Sequence, residues 1–382
     1  MKKSISIMLT ALLFVSVLPG CQSSGTNPDV IKIGVFEPLT GDNAGGGELE
    51  VEGVKLANEL FPEVLGKKVE LVIVDNKSDK AEAATAAARL VEQDKVNAII
   101  GSWGSSLSMA AGNIVKDAKV PAVGASCTNP QVTLNNDYYF RVCFIDPFQG
   151  TVMANYAISK LGAKTAAIIQ EVSNDYSVGL ASFFKDSFIL NTGAEDSIVD
   201  TENYQTGDKD FSAILTNIKA KNPDVIFAPG NFTESALIIK QARQLGIETP
   251  FLGGDTWETP DFLSVGGADV NGAAFSTFFD KSMTTTDAAK TFLSEYEKKN
   301  PGKEPAAVTA LGYDAYILIL DAITRANSAE GPAIRDALAQ TLNFQGVTGS
   351  TTLDANGDAV KDAVIKTVED GVFTYLDYVA AQ

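Results

Sequence analysis

Short β-branched runs alternate with longer Ala-rich amphipathic runs along this 382-residue chain, and the alternation begins twice. That order restricts the fold to βαβ units, with parallel strands and helices on both faces of each sheet. In the first series, residues 31–36 (IKIGVF), 69–75 (VELVIVD), 98–101 and 139–144 read as strands, and 121–124 leads into another. Residues 51–60, 80–94 and 107–119 read as helices, with Ala83, Ala84, Ala87, Leu90 and Val91 along one face of the second. In the second series, residues 148–161, 177–190, 211–221 and 233–245 are helical patterns. Residues 166–170, 197–200, 225–228, 251–253 and 273–278 read as its strands. The expected fold class is α/β, with two doubly wound parallel-sheet lobes.

The C-terminal part completes lobes already begun. Residues 288–299 and 306–326 are helical patterns, and 351–358 reads as a strand followed by a turn. Residues 364–368 and 372–379 read as a closing hairpin around Asp370-Gly371, a strong short turn signal. The chain must then cross between lobes more than once. The expected division is 30–144 plus 278–349 for one lobe and 145–277 plus 350–382 for the other.

The N-terminus carries processing signals. Lys2 and Lys3 precede an apolar stretch over 5–18, followed by Leu18-Pro19-Gly20-Cys21. A charged start, a short apolar core and a small residue before the cut mark residues 1–20 as a signal peptide. The stretch is too short and too broken for a transmembrane helix. Cys21 directly after the small residue resembles a bacterial lipobox, which implies a diacylglyceryl thioether on Cys21 and cleavage before it. Residues 21–29 are polar and unpatterned, a flexible tether to a lipid anchor in the membrane. Cleavage leaves 382 − 20 = 362 residues, room for two domains.

The formal charge is −18, and losing Lys2 and Lys3 makes it −20. So acidic a body argues against nucleic acid as a partner and against charge-driven adhesion to anionic lipid. The sequence has no His, which removes Ser-His-Asp and Cys-His catalysis and His-bearing zinc sites. Besides Cys21 there are Cys127 and Cys143, which form either one disulfide or two buried free thiols.

Ligands of open parallel sheets bind beyond the carboxyl ends of the strands, so the loops there hold the candidates. Residues 40–47 (TGDNAGGG) lack the Lys-Ser/Thr of a phosphate loop and read as a cleft edge. Residues 101–106 (GSWGSS) precede a helix. A Ser there is ordinarily an N-cap, yet the free N–H groups and positive dipole end also suit a carboxylate. Ser126, Cys127 and Thr128 follow the next strand, as a plain turn or as polar groups offered to a ligand. In the second half the loops present Tyr176, Asn231 and Asp255. Asp255, beside Gly253, Gly254 and Trp257, either meets a cation or caps the next segment.

In their order, GSWGSS, ASCTNPQVT, FRVCFIDPFQG, DFSAILTNIKAKNPDVIFAPG and PFLGGDTW resemble the leucine/isoleucine/valine-binding branch of type I periplasmic binding proteins. The resemblance covers nearly the whole mature chain. It implies two lobes joined by three crossing segments, with ligand in the cleft. By position, Ser105 and Thr128 match the residues that grip a ligand carboxylate. Ser126 and Cys127 match the backbone positions between them, where a main-chain carbonyl takes an ammonium. Tyr176 and Asp255 match second-lobe groups, with Asp255 the acidic partner of the ammonium. Gly46 and Asn231 stand where relatives place aromatics, and Trp103 is larger than the usual residue there.

The function implied is capture of an amino acid, branched-chain or otherwise hydrophobic, by a monomeric importer subunit that docks on an ABC permease. No cofactor and no metal is expected. A binder of urea, short amides or an aromatic acid, or a ligand-sensing ectodomain, are the alternatives. An enzyme is disfavoured, since no nucleophile–base pair, metal set or cofactor loop is present.

Overall fold

The computed structural model describes residues 30–381. The expected signal peptide, lipidation at Cys21 and tether fall outside the described residues. Six strands make the first sheet: β1 (Val30–Glu37), β2 (Glu63–Val64), β3 (Lys67–Asp75), β4 (Ala98–Ile100), β5 (Ala122–Gly124) and β6 (Tyr139–Arg141). Their order is β2-β3-β1-β4-β5-β6, parallel except for the β2–β3 pair. Helices α1 (Ala44–Leu60), α2 (Lys80–Arg89) and α3 (Ser105–Ala118) connect these strands. Local chemistry sets their starts. Asp79 caps α2 by accepting from the Ala81 and Glu82 N–H groups at 2.8 and 2.9 Å. Gly104 precedes α3 at φ +86°, a left-handed conformation that favours glycine.

After β6 the chain passes to the second lobe through α4 (Asp146–Ser159), α5 (Asp175–Thr192), α6 (Ser212–Lys221), α7 (Phe232–Gln244) and α8 (Pro260–Gly266). Between them run β7 (Ala166–Glu171), β8 (Ile198–Tyr204), β9 (Val225–Phe227), β10 (Phe251–Gly253) and β11 (Ala274–Thr277). The chain then returns to the first lobe as α9 (Asp287–Lys299), α10 (Ala307–Ala326) and α11 (Gly331–Leu338). A small antiparallel sheet follows, made of β12 (Phe344–Gly346), β13 (Gly349–Leu353) and β14 (Ala359–Val360). A last crossing gives the hairpin β15 (Ala363–Glu369) and β16 (Val372–Val379). The seven-stranded sheet reads β16-β15-β11-β10-β9-β7-β8, with β7 to β11 mutually parallel and β15 and β16 antiparallel.

The division expected at 349/350 falls inside the small sheet. Pairing of β13 with β12 and β14 keeps the chain on the first lobe through Val360. Arg141, fully buried, ties this segment to β6 through Asp358 Oδ1 at 2.7 Å. Helix α10 is long and apolar enough by composition to cross a membrane, but 83% of its apolar window is buried, so it is a core helix. It packs against α1 backbone to backbone. A Cβ at Gly53 would meet the Thr309 carbonyl, and one at Gly312 the Glu50 carbonyl.

Cys127 and Cys143 are both buried free thiols, so the disulfide is not formed. The two side chains belong to different core clusters. Burial raises both thiols, Cys127 to about 11.

Candidate ligand site between the two sheets

In each sheet the strand order reverses at one point, between β1 and β4 in the first and between β7 and β9 in the second. Loops diverge at such a point and leave a crevice beyond the strand ends. The two crevices face each other and enclose a cavity of about 90 Å³. Of the expected residues, Trp103, Ser105, Ser126, Tyr176, Asn231 and Asp255 line it. Cys127 and Thr128 do not.

The first-lobe wall is the N-terminus of α3. Ser105 is the first residue of the helix, not its cap, and its Oγ accepts from the Asn129 N–H at 3.0 Å. Its hydroxyl proton is left to donate. The N–H groups of Leu107 and Ser108 bond the Gly104 carbonyl, which leaves those of Ser105 and Ser106 for a ligand. Free N–H groups at the positive end of a helix dipole suit an anion.

The second-lobe wall carries Asp255, 2% exposed. It makes no capping bond. Its Oδ1 accepts from Gln149 Nε2 at 2.8 Å and from Tyr176 Oη at 3.0 Å, which leaves Oδ2 for a ligand. Burial pushes this carboxyl up to about 7, against the lowering effect of those two hydrogen bonds. A cation beside Oδ2 would restore the charged form.

Sequence reasoning missed the acids beneath the cavity. Glu50, fully buried on α1, accepts from the Ser126 hydroxyl, and burial raises it to about 7. Glu37, at the end of β1, is raised well above the usual carboxylate range by burial and by neighbouring Glu50. Asp146, at the start of α4, has both oxygens unpaired and is raised by burial to about 8. The signal for Glu50 lay in the helix period: with α1 starting at Ala44, position 50 shares the buried face with Gly46, Gly47 and Val54.

The Cys127 carbonyl, expected to face a ligand ammonium, is occupied by Arg141, whose Nη1 donates to the Cys127 and Asn129 carbonyls. Thr128 is buried behind the wall, its carbonyl accepting from the Asp146 N–H at 3.0 Å and its hydroxyl unpartnered. Trp103 and Gly46 explain each other: a Cβ at Gly46 would fall on the Trp103 ring, so the aromatic from position 103 fills the space over α1.

The lobes also touch across the cavity mouth. Lys80 Nζ and Ser106 Oγ both reach Asp175 Oδ2, at 2.9 and 2.7 Å. Burial would raise Asp175, but these two donors outweigh it and hold it below its ordinary value. Asn231 Nδ2 donates to Asn43 Oδ1 at 2.9 Å. Among the described residues no cluster of His, Cys, Asp and Glu has the arrangement of a metal site.

Comparison with known proteins agrees with this architecture. The family model described as periplasmic binding protein matches residues 30–372. A leucine-, isoleucine-, valine-, threonine- and alanine-binding protein of Pseudomonas aeruginosa is 26% identical over 92% of this chain and 92% of its own. The leucine binding protein LivK of Thermotoga maritima is 42% identical, with a TM-score of 0.88 over 92% of this chain and 99% of its own. LivJ of Streptococcus pneumoniae, solved with isoleucine, is 35% identical, with a TM-score of 0.85 over 92% of this chain and 100% of its own. The chain belongs to the type I periplasmic binding proteins, in the branched-chain amino acid family of ABC-transporter solute-binding subunits, which are binders and not enzymes.

Proposed function

We propose that this protein captures a zwitterionic α-amino acid between its lobes and hands it to an ABC permease. The carrying observation is the opposition of Asp255 on one wall to Ser105 and the α3 N-terminus on the other, across a cavity of about 90 Å³. One wall attracts an ammonium and the other a carboxylate, so a single zwitterion bridges the lobes by charge-assisted hydrogen bonds. Tyr176 and Gln149 orient Asp255 for that contact. Asn129 orients the Ser105 hydroxyl. Lipid attachment at Cys21 would keep the closed protein near its permease.

Asp255→Asn is the test. Losing one partner of a buried charge pair costs about 2–5 kcal/mol, roughly 30-fold or more in affinity. Calorimetry should show that loss for an α-amino acid and a much smaller one for its desamino analogue. Equal losses for the two ligands would remove Asp255 from the ammonium role.

A further inference from the structure

We propose that the captured amino acid has a short side chain that both donates and accepts hydrogen bonds, a hydroxyl or a carboxamide, in place of the branched aliphatic side chain implied by the resemblance. The proposal rests on the amino-acid reading above and concerns the cavity beyond Ser105 and Asp255.

Most of the side chains lining the wall there are polar. It is formed by Asn43, Glu171, Asn231, Thr256 and Trp103, and Leu107 is the only aliphatic side chain among the lining residues. The polar groups hold one another: Asn231 bonds Asn43 across the lobes at 2.9 Å, and Thr256 Oγ1 donates to the Gly230 carbonyl at 2.7 Å. Glu171 accepts from Asn174 Nδ2 at 3.0 Å and from the Thr206 hydroxyl. An aliphatic side chain pressed on this wall would strip water from polar atoms and return no hydrogen bond. None of these bonds uses the side-chain Oδ1 of Asn231 or the Nδ2 protons of Asn43, so a hydroxyl or amide finds both an acceptor and a donor there.

Trp103 gives an independent indication. It is 1% exposed, and its Nε1–H has no hydrogen-bond partner in the protein. Gly46 beneath the ring and Phe232 at 6.4 Å beside it fix the indole in the wall. A buried donor left unpaired is costly, and because Trp103 lines the cavity, a ligand side-chain oxygen that reached its Nε1–H would satisfy it where a methyl group cannot. An acidic side chain fits poorly, because Asp42 and Glu171 line the cavity and Lys80 is already paired with Asp175 at 2.9 Å.

Calorimetric titration with two near-isosteric pairs tests this: L-threonine against L-valine, and L-asparagine against L-leucine. At least one polar member should bind about tenfold or more tightly than its apolar partner, the factor expected for one side-chain hydrogen bond. Trp103→Phe, which removes the N–H and keeps an aromatic ring, should lower that ratio about tenfold. An unchanged ratio overturns the role given to the indole. Valine and leucine binding as tightly as their polar partners, or more tightly, overturns the proposal and leaves the amino-acid reading standing. If none of the four binds, the proposal is overturned, and the amino-acid reading falls with it only if no other L-α-amino acid binds.

Discussion

At the scale of single residues, under the proposed function the protonation of Asp255 governs capture. Burial places its carboxyl at about 7, while an arriving ammonium favours the carboxylate. Below that pH the ligand must displace a proton, so affinity falls as pH falls, approaching tenfold per unit. Above it the dependence flattens. Glu50 and Asp146, raised by burial to about 7 and about 8, broaden the transition because each acts on the same neighbourhood. Titrations between about pH 5 and about pH 8, in buffers of differing ionisation enthalpy, should detect proton release on binding at the acid end. A pH-independent affinity would exclude a titrating Asp255 from the site.

At the scale of elements, the cleft depends on how α1 and α10 meet. Gly53 and Gly312 let the two backbones touch, and that contact sets the height of α1 and so of Glu50 under the cavity. Gly312→Ala should destabilise the protein by about 1–3 kcal/mol, seen as a lower melting temperature. An unchanged melting temperature would mean the helices can part without cost. The order of elements was legible because β-branched strands and Ala-rich helices differ in period. The final hairpin was legible for a sharper reason: Asp370 and Gly371 take φ of +49° and +76°, the left-handed pair that such a two-residue turn requires. Cys127 was expected in the cleft as a backbone position implied by the resemblance, but its carbonyl accepts from Arg141 and its side chain is packed in the core, so only Ser126 of the three lines the cavity. Glu50 was missed because the helix was read from residue 51, so its buried acidic face was cut off. The lobe that holds β13 and β14 was not legible, since their partners and the Arg141–Asp358 pair are set by contacts distant in sequence.

At the scale of the whole molecule, closure is held by few bonds outside the ligand. Asp175 receives both Lys80 and Ser106 from the opposite lobe, and Asn231 meets Asn43. The exposed ion pair contributes little by itself, but the Ser106 hydroxyl on a carboxylate is a stronger contact. These bonds exist only with the lobes together, so losing them lowers the population of the binding-competent form. Asp175→Ala should therefore weaken ligand binding by about tenfold and enlarge the radius of gyration measured by X-ray scattering before ligand is added. An unaltered radius and affinity would remove the Asp175 carboxylate from the bonds that hold the lobes together. Bridging of the lobes by a zwitterion is tested most directly by thermal denaturation of the purified protein against the L-amino acids, urea, short amides and benzoate. At least one L-α-amino acid should stabilise the protein, by about 2.7 kcal/mol at a hundredfold excess over its Kd. Stabilisation by urea, an amide or benzoate, with no amino acid having that effect, would contradict it.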